Sequence, residues 1–173
     1  IQPLGLKDHS LVGNELDASD RDDAINIQNL PVYGMYMPDA IATFAVDGQV
    51  YYVTANEGDD RGEDERIGSL QNTVDPSLPA LDPTVFPDAA TLQQDENLGR
   101  LGVSTVDGDT DGDGDYDQLQ AYGTRSFSIF DSSGNLVFDS GDDFEQITAA
   151  VLPDFFNSDN EENNLDNRSD NKG

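Results

Sequence analysis

Apolar residues are concentrated in two adjoining runs, 40–46 (AIATFAV) and 49–55 (QVYYVTA), separated by Asp47-Gly48. β-Branched and aromatic residues on both sides of an Asp-Gly pair predict a tight β-hairpin. Neither run alternates cleanly between apolar and polar, which predicts strands buried between two layers. A further strand is predicted over 98–106, where Leu101, Val103 and Thr105 alternate with small or polar residues. Three more are predicted at 118–122, 125–130 and 135–138, the last two joined by Asp131-Ser132-Ser133-Gly134. In 125–130 the alternation sets Phe127 and Ile129 against Ser126 and Ser128. The pattern amounts to about six strands with no strand-helix alternation.

Between these runs the chain is polar. Residues 1–30 read as a polar loop segment with a short helical turn, carrying Asp17, Asp20, Asp22 and Asp23. Residues 56–87 are punctuated by Pro76, Pro79, Pro83 and Pro87, a long excursion expected to be either functional or mobile. Asp88 is placed to cap a short helix to about residue 94, and Asp142 or Asp143 a second one past Ile147 and Ala150, stopped by Pro153. Residues 157–173 form an acidic, Asn-rich tail in which Leu165 is the one sizeable apolar residue, expected to be disordered unless another chain orders it. The predicted fold class is mainly β, with antiparallel sheets, long acidic loops and two short helices. Its divisions are the N-terminal segment 1–30, a β portion over 31–156 and the tail 157–173.

Charge changes this picture. The 173 residues carry 36 Asp+Glu against 8 Lys+Arg, a net charge of −28. Phosphate contacts need clusters of Lys and Arg, so nucleic-acid binding of the ordinary kind is excluded. No apolar stretch approaches the roughly 20 residues of a bilayer-spanning helix, so membrane insertion is not expected of this chain. No charged-then-apolar leader follows Ile1, and the chain reads as a processed or trimmed soluble product. With 35% hydrophobic residues the core is thin for the length, and a second stabiliser is expected. Cysteine is absent, which leaves bound hard cations. The acids are 28 Asp and 8 Glu, a bias toward turns and metal loops over solvated helix faces. Adaptation of a secreted protein to salt would produce a similar overall charge.

The densest acidity is Asp107, Asp109, Asp111, Asp113, Asp115 and Asp117, six carboxylates at alternate positions interleaved with Gly108, Gly112 and Gly114. Extended, each neighbouring pair repels by about 0.6 kcal/mol in water, on the order of 3 kcal/mol over the tract before screening. A divalent cation reverses the sign, because calcium takes six to eight oxygen ligands at about 2.3–2.6 Å and glycines let the loop curl around it. A calcium loop is therefore predicted within 107–120. Its EF-hand-like register can begin at Asp107, with Gly112 at the sixth position, or at Asp109, with Gly114 there. The second is preferred because Tyr116 can pack inward and strap the loop down. Both registers place glutamine (Gln118 or Gln120) where a bidentate acid belongs, so an acid from elsewhere or water must complete the shell. The tract resembles the isolated calcium loops of dockerin and thrombospondin type 3 repeats.

Glu57 and Asp59, just after the 49–55 run, are the candidates for a second metal or a pocket, set against a simple polar turn with Arg61 paired to a neighbouring acid. His9 is the only histidine, which excludes a multi-histidine zinc or iron site and makes a Ser-His-Asp triad implausible. Phosphate-cradling and dinucleotide motifs are absent.

The blocks PVYGMYMPDAIA (31–42), VTANEGDDR (53–61), FPDAATL (86–92), DTDGDGD (109–115), GTRSFSI (123–129) and DSGDDFE (139–145) together resemble the choice-of-anchor I family of bacterial secreted and surface proteins. The resemblance implies a β-propeller-like domain, of which this chain would hold about one and a half blades. It also implies an extracellular or cell-surface location, where millimolar calcium would fill even a weak loop. Three functions follow as expectations. The first is a calcium-binding surface protein with a structural or binding role, the second a portion of a calcium-dependent phosphoesterase of the alkaline phosphatase or phytase-like kind, and the third a surface or filament-forming subunit. Expected partners are the rest of its own propeller or further copies of the same chain.

Overall fold

The computed structural model describes residues 2–156. Five short strands, β1 (Leu6–Asp8), β2 (Tyr33–Met35), β5 (Asp64–Arg66), β6 (Gly102–Ser104) and β7 (Gln120–Tyr122), form one sheet in the order β1-β2-β7-β6-β5. Its β2–β7 pair is parallel and its other pairs are antiparallel. A second, wholly antiparallel sheet holds β3 (Ala40–Val46), β4 (Gln49–Asn56), β8 (Ser126–Asp131) and β9 (Leu136–Asp139) in that order. Two helices complete the described chain, α1 (Ala89–Leu92) and α2 (Asp143–Val151). The fold is thus mainly β with antiparallel pairing and two short helices.

The expected portion of a propeller does not emerge. Among the described residues neither sheet closes into a barrel or a propeller. Between β4 and β8 the chain crosses into the other sheet and builds β5, β6 and β7 there, so neither sheet is a run of consecutive strands.

The hairpin forms where Asp-Gly predicts it. Asp47 and Gly48 take φ of 52° and 80°, the positive pair that a type I′ turn requires, and the register runs from Ala40↔Ala55 to Val46↔Gln49. The expected burial of both strands between two layers is overturned: all seven residues of β3, an edge strand, are exposed, and in β4 only Thr54 and Asn56 are buried. In β8 the usual order is inverted: Ser126, Ser128 and Phe130 are buried, while Phe127 and Ile129 turn outward and are half-buried.

The hydrophobic core lies against the first sheet. Leu16, Val32, Leu98, Leu101, Val103, Leu119 and Ala121 are buried there, joined by Ile67, Leu70, Leu81 and Phe86. Those last four come from the Pro-punctuated excursion, which is therefore a packed part of the fold. Apolar residues spaced along it supply a core that three-residue strands cannot. The strand expected over 98–106 shrinks to β6, since Leu101 N donates to Leu98 O in a turn. Residues 6–8 and 33–35, read as loop or unassigned, are strands held by β1–β2 pairing.

Polar chemistry joins the two sheets. Lys7 Nζ on β1 lies 3.0 Å from Asp139 Oδ1 on β9, and its side chain is 2% exposed. Asp139 Oδ2 accepts from the hydroxyls of Ser126 and Ser128, and Asn56 Nδ2 donates to Ser128 Oγ at 2.7 Å. Burial holds Lys7 below its ordinary range despite the carboxylate beside it. The backbones also meet closely: a Cβ on Gly58, at φ 86°, would lie 2.2 Å from Gly123 N. The tail 157–173, expected to be disordered, lies outside the described residues.

Candidate metal centre

The aspartate tract connects β6 to β7, adjacent antiparallel strands, so both ends of the loop are anchored in one sheet. Its neck is closed by Asp117 N and Gln118 N, which donate to Gly108 O at 2.9 and 3.0 Å. Inside the loop, Asp109 accepts from Gly112 N at 2.6 Å and from Gly114 N at 3.0 Å. Those two contacts wrap the backbone around one carboxylate, with Gly112 and Gly114 at φ of 83° and 105°. Asp111 Oδ1 and Asp113 Oδ1 each accept from the amide two residues on, at 3.2 Å.

Tyr116 does pack inward, at 3% exposed, and straps the loop to the excursion: its N donates to Ala80 O at 2.9 Å and its O accepts from Asp82 N at 3.1 Å. Thr73 N donates to Gly114 O at 2.7 Å as a second strap. The first strap brings Asp82 to the tract.

Among the described residues, two groups of three carboxylates each gather oxygen atoms within 4.8 Å of one another: Asp109, Asp111 and Asp113, and Asp82, Asp115 and Asp117. They are tied by Thr110, whose N and Oγ1 donate to Asp117 Oδ2 at 2.7 and 2.6 Å. Burial, then repulsion from Asp113, Asp82 and Asp117, pushes the Asp115 carboxyl up to about 6. The Thr110 hydroxyl and amide hold Asp117 below the usual carboxylate range. For Asp111 the amide of Asp113 pulls downward, but desolvation and the neighbouring carboxylates outweigh it and the net direction is up. Oxygen donors at this density, with carboxylates reluctant to ionise together, suit a hard divalent cation.

Asp107 belongs to neither group. It pairs with Arg61 Nη2 at 3.1 Å and accepts from Ser104 Oγ at 2.9 Å, while the same guanidinium lies 5.7 Å from the Tyr122 ring centre. Glu57 and Asp59 are exposed and also stand outside both groups. The amides of Gln118 and Gln120 bond each other at 3.1 Å. His9 is buried, its Nδ1 donating to Asn14 O at 2.7 Å, and burial holds it down at about 4.

Asp82 escaped the sequence reading. Followed by Pro83 and Thr84, it looks like a turn residue, and its carboxylate does accept from Thr84 N at 2.7 Å. Only the pairing of Leu81 with Tyr116, a non-local bridge, reveals its second position.

The family model of the choice-of-anchor I domain matches residues 1–173. The chain belongs to the choice-of-anchor I family. Membership marks this choice-of-anchor I protein as surface-associated or secreted. Among its described residues no helix is long and apolar enough to cross a membrane. It is similar to Gigasin-3a of Magallana gigas, 39% identical over 89 residues that cover 48% of the chain and 31% of that relative's length. No solved structure matches it.

Proposed function

We propose that this choice-of-anchor I protein is a calcium-binding surface protein in which the ion has a structural role, held by the 109–117 loop and by Asp82. The observation that carries the reading is the convergence of Asp109, Asp111 and Asp113, and of Asp115 and Asp117 with Asp82 from a distant segment, onto one strapped loop. In this reading Asp82, gathered with Asp115 and Asp117 and apart from the Asp109, Asp111 and Asp113 group, supplies the acid from elsewhere that a glutamine at the twelfth position leaves wanting. A structural role is favoured over a catalytic one because the loop ties β6, β7 and the excursion to each other at the edge of the main core. Glu57 and Asp59, on which a phosphoesterase would depend, belong to no group of three converging acids among the described residues.

Thermal melting with saturating calcium and with excess chelator tests the reading. Calcium is expected to raise the melting temperature by several degrees or more, since occupancy at 100 times the dissociation constant contributes about 2.7 kcal/mol. Identical curves would refute it.

A further inference from the structure

The second sheet wears its pattern inside out. Its inward face carries the polar group Ser126, Ser128, Asn56 and Asp139, bonded to each other and to Lys7, and at its other end Phe130 and Tyr52, whereas its outward face carries Phe44, Tyr51, Val53, Phe127, Ile129 and Phe138. Phe44 and Phe138, on the two edge strands, are 41% and 45% exposed. Phe44 stacks on Tyr51 at 5.4 Å and Phe127 packs against Phe138 at 5.4 Å, so the apolar surface runs unbroken across all four strands. Helix α2 reaches it only at one end, where the Phe144 ring lies 6.2 Å from Phe127, and leaves Ile147 and Val151 exposed. A sheet that leaves Phe44, Phe127, Ile129 and Phe138 on its outer face, with two serines of β8 turned inward, has that outer face matched to something apolar.

We propose that this face binds the same face of a second copy, forming a two-fold sandwich of two four-stranded sheets. Charge selects that occupant. Strands β3 and β4 contain no Asp, Glu, Lys or Arg, β8 contributes only Asp131 at its end, and Asp139 of β9 points inward to Lys7. On a chain of net charge −28, this is a surface on which two copies can meet without setting carboxylates against each other. Pairing edge to edge is disfavoured, since two β3 strands centred on Thr43 would set Asp39 of each opposite Asp47 of the other.

Four strands about 4.8 Å apart and about 20 Å long give roughly 400 Å² of flat sheet per copy, to which side-chain relief adds, and this places the contact among small, weakly associating interfaces. The proposal stands on the inverted sheet and does not depend on the calcium reading.

Sedimentation velocity over a wide concentration range, in calcium-containing buffer at low and high sodium chloride, tests it. The wild-type chain is expected to move from one to twice the mass of a single copy, and to associate more tightly as salt rises, because screening relieves the repulsion of two acidic bodies. Phe44→Glu and Phe138→Glu, both at exposed positions, are expected to raise the dissociation constant at least about tenfold without changing the circular dichroism spectrum. Leu78→Glu, on the excursion that packs on the other sheet, adds the same charge and leaves the dimer intact. A monomer under every condition, or self-association indifferent to both face variants, overturns the proposal.

Discussion

Lys7 Nζ and Asp139 Oδ1 stand 3.0 Å apart across the junction of the two sheets, linking the first strand of the described chain to the last. The ammonium also donates to Thr124 O at 3.3 Å and to Gly141 O, and Asp139 Oδ1 accepts from Gly141 N at 2.8 Å. The ion pair and its hydrogen bonds join the two sheets at this point. Removing one partner leaves a desolvated charge. Asp139→Ala is expected to cost about 3–5 kcal/mol in chemical denaturation. The double variant Lys7→Met/Asp139→Ala is expected to cost less than the sum of the two single changes, as charges in contact require.

His9 gives the fold a pH dependence. Burial lowers it from 6.5 to about 4, so the unfolded chain takes up its proton at a higher pH than the folded one. The stability tied to a neutral His9 is therefore full above 6.5 and is lost as pH falls through about 4. Its size is of the order of 3 kcal/mol. Denaturation midpoints measured from pH 7 to pH 4 should decline, and His9→Gln should flatten that part of the profile.

Gly58 crosses Gly123 so closely that any Cβ would lie 2.2 Å from the Gly123 amide nitrogen, in a backbone conformation that disfavours side chains in any case. Gly58→Ala is expected to destabilise by more than the roughly 1 kcal/mol of a purely conformational penalty. Gly62→Ala, at φ 78° with open space around it, isolates that penalty alone.

What the sequence discloses and what it hides divide along the range of the interactions. The hairpin was legible because Asp47-Gly48 sets its turn locally, and α2 because Asp142 and Pro153 bracket it, although Asp142 bonds the Gln146 amide at 2.8 Å and caps no backbone amide. The tract was legible from spacing alone, including the inward Tyr116. Strands β1, β2 and β5 were not, since three residues carry too little periodicity and exist only through partners far along the chain. Burial of β3 was misjudged because an apolar run reads alike whether it faces a core or solvent. Asp107 was placed with the other five aspartates by spacing, but Arg61, a distant residue, draws it away.

The strap makes a prediction separate from the ligands. Tyr116→Ala removes a buried ring and should cost about 3–5 kcal/mol. Asp82→Asn leaves the ring in place, so it should spare the stability of the calcium-free protein while reducing the rise in melting temperature that calcium produces. A calcium response unchanged by Asp82→Asn would detach that residue from the ion.

The most direct test of the central claim is calorimetric titration of the chelator-stripped protein with calcium at pH 7. Saturable binding of at least one ion per chain, with a dissociation constant no weaker than about 10⁻³ M and abolished by Asp109→Asn combined with Asp113→Asn, is the predicted result. An absence of binding up to about ten times that concentration, or binding that survives the double substitution, would contradict it.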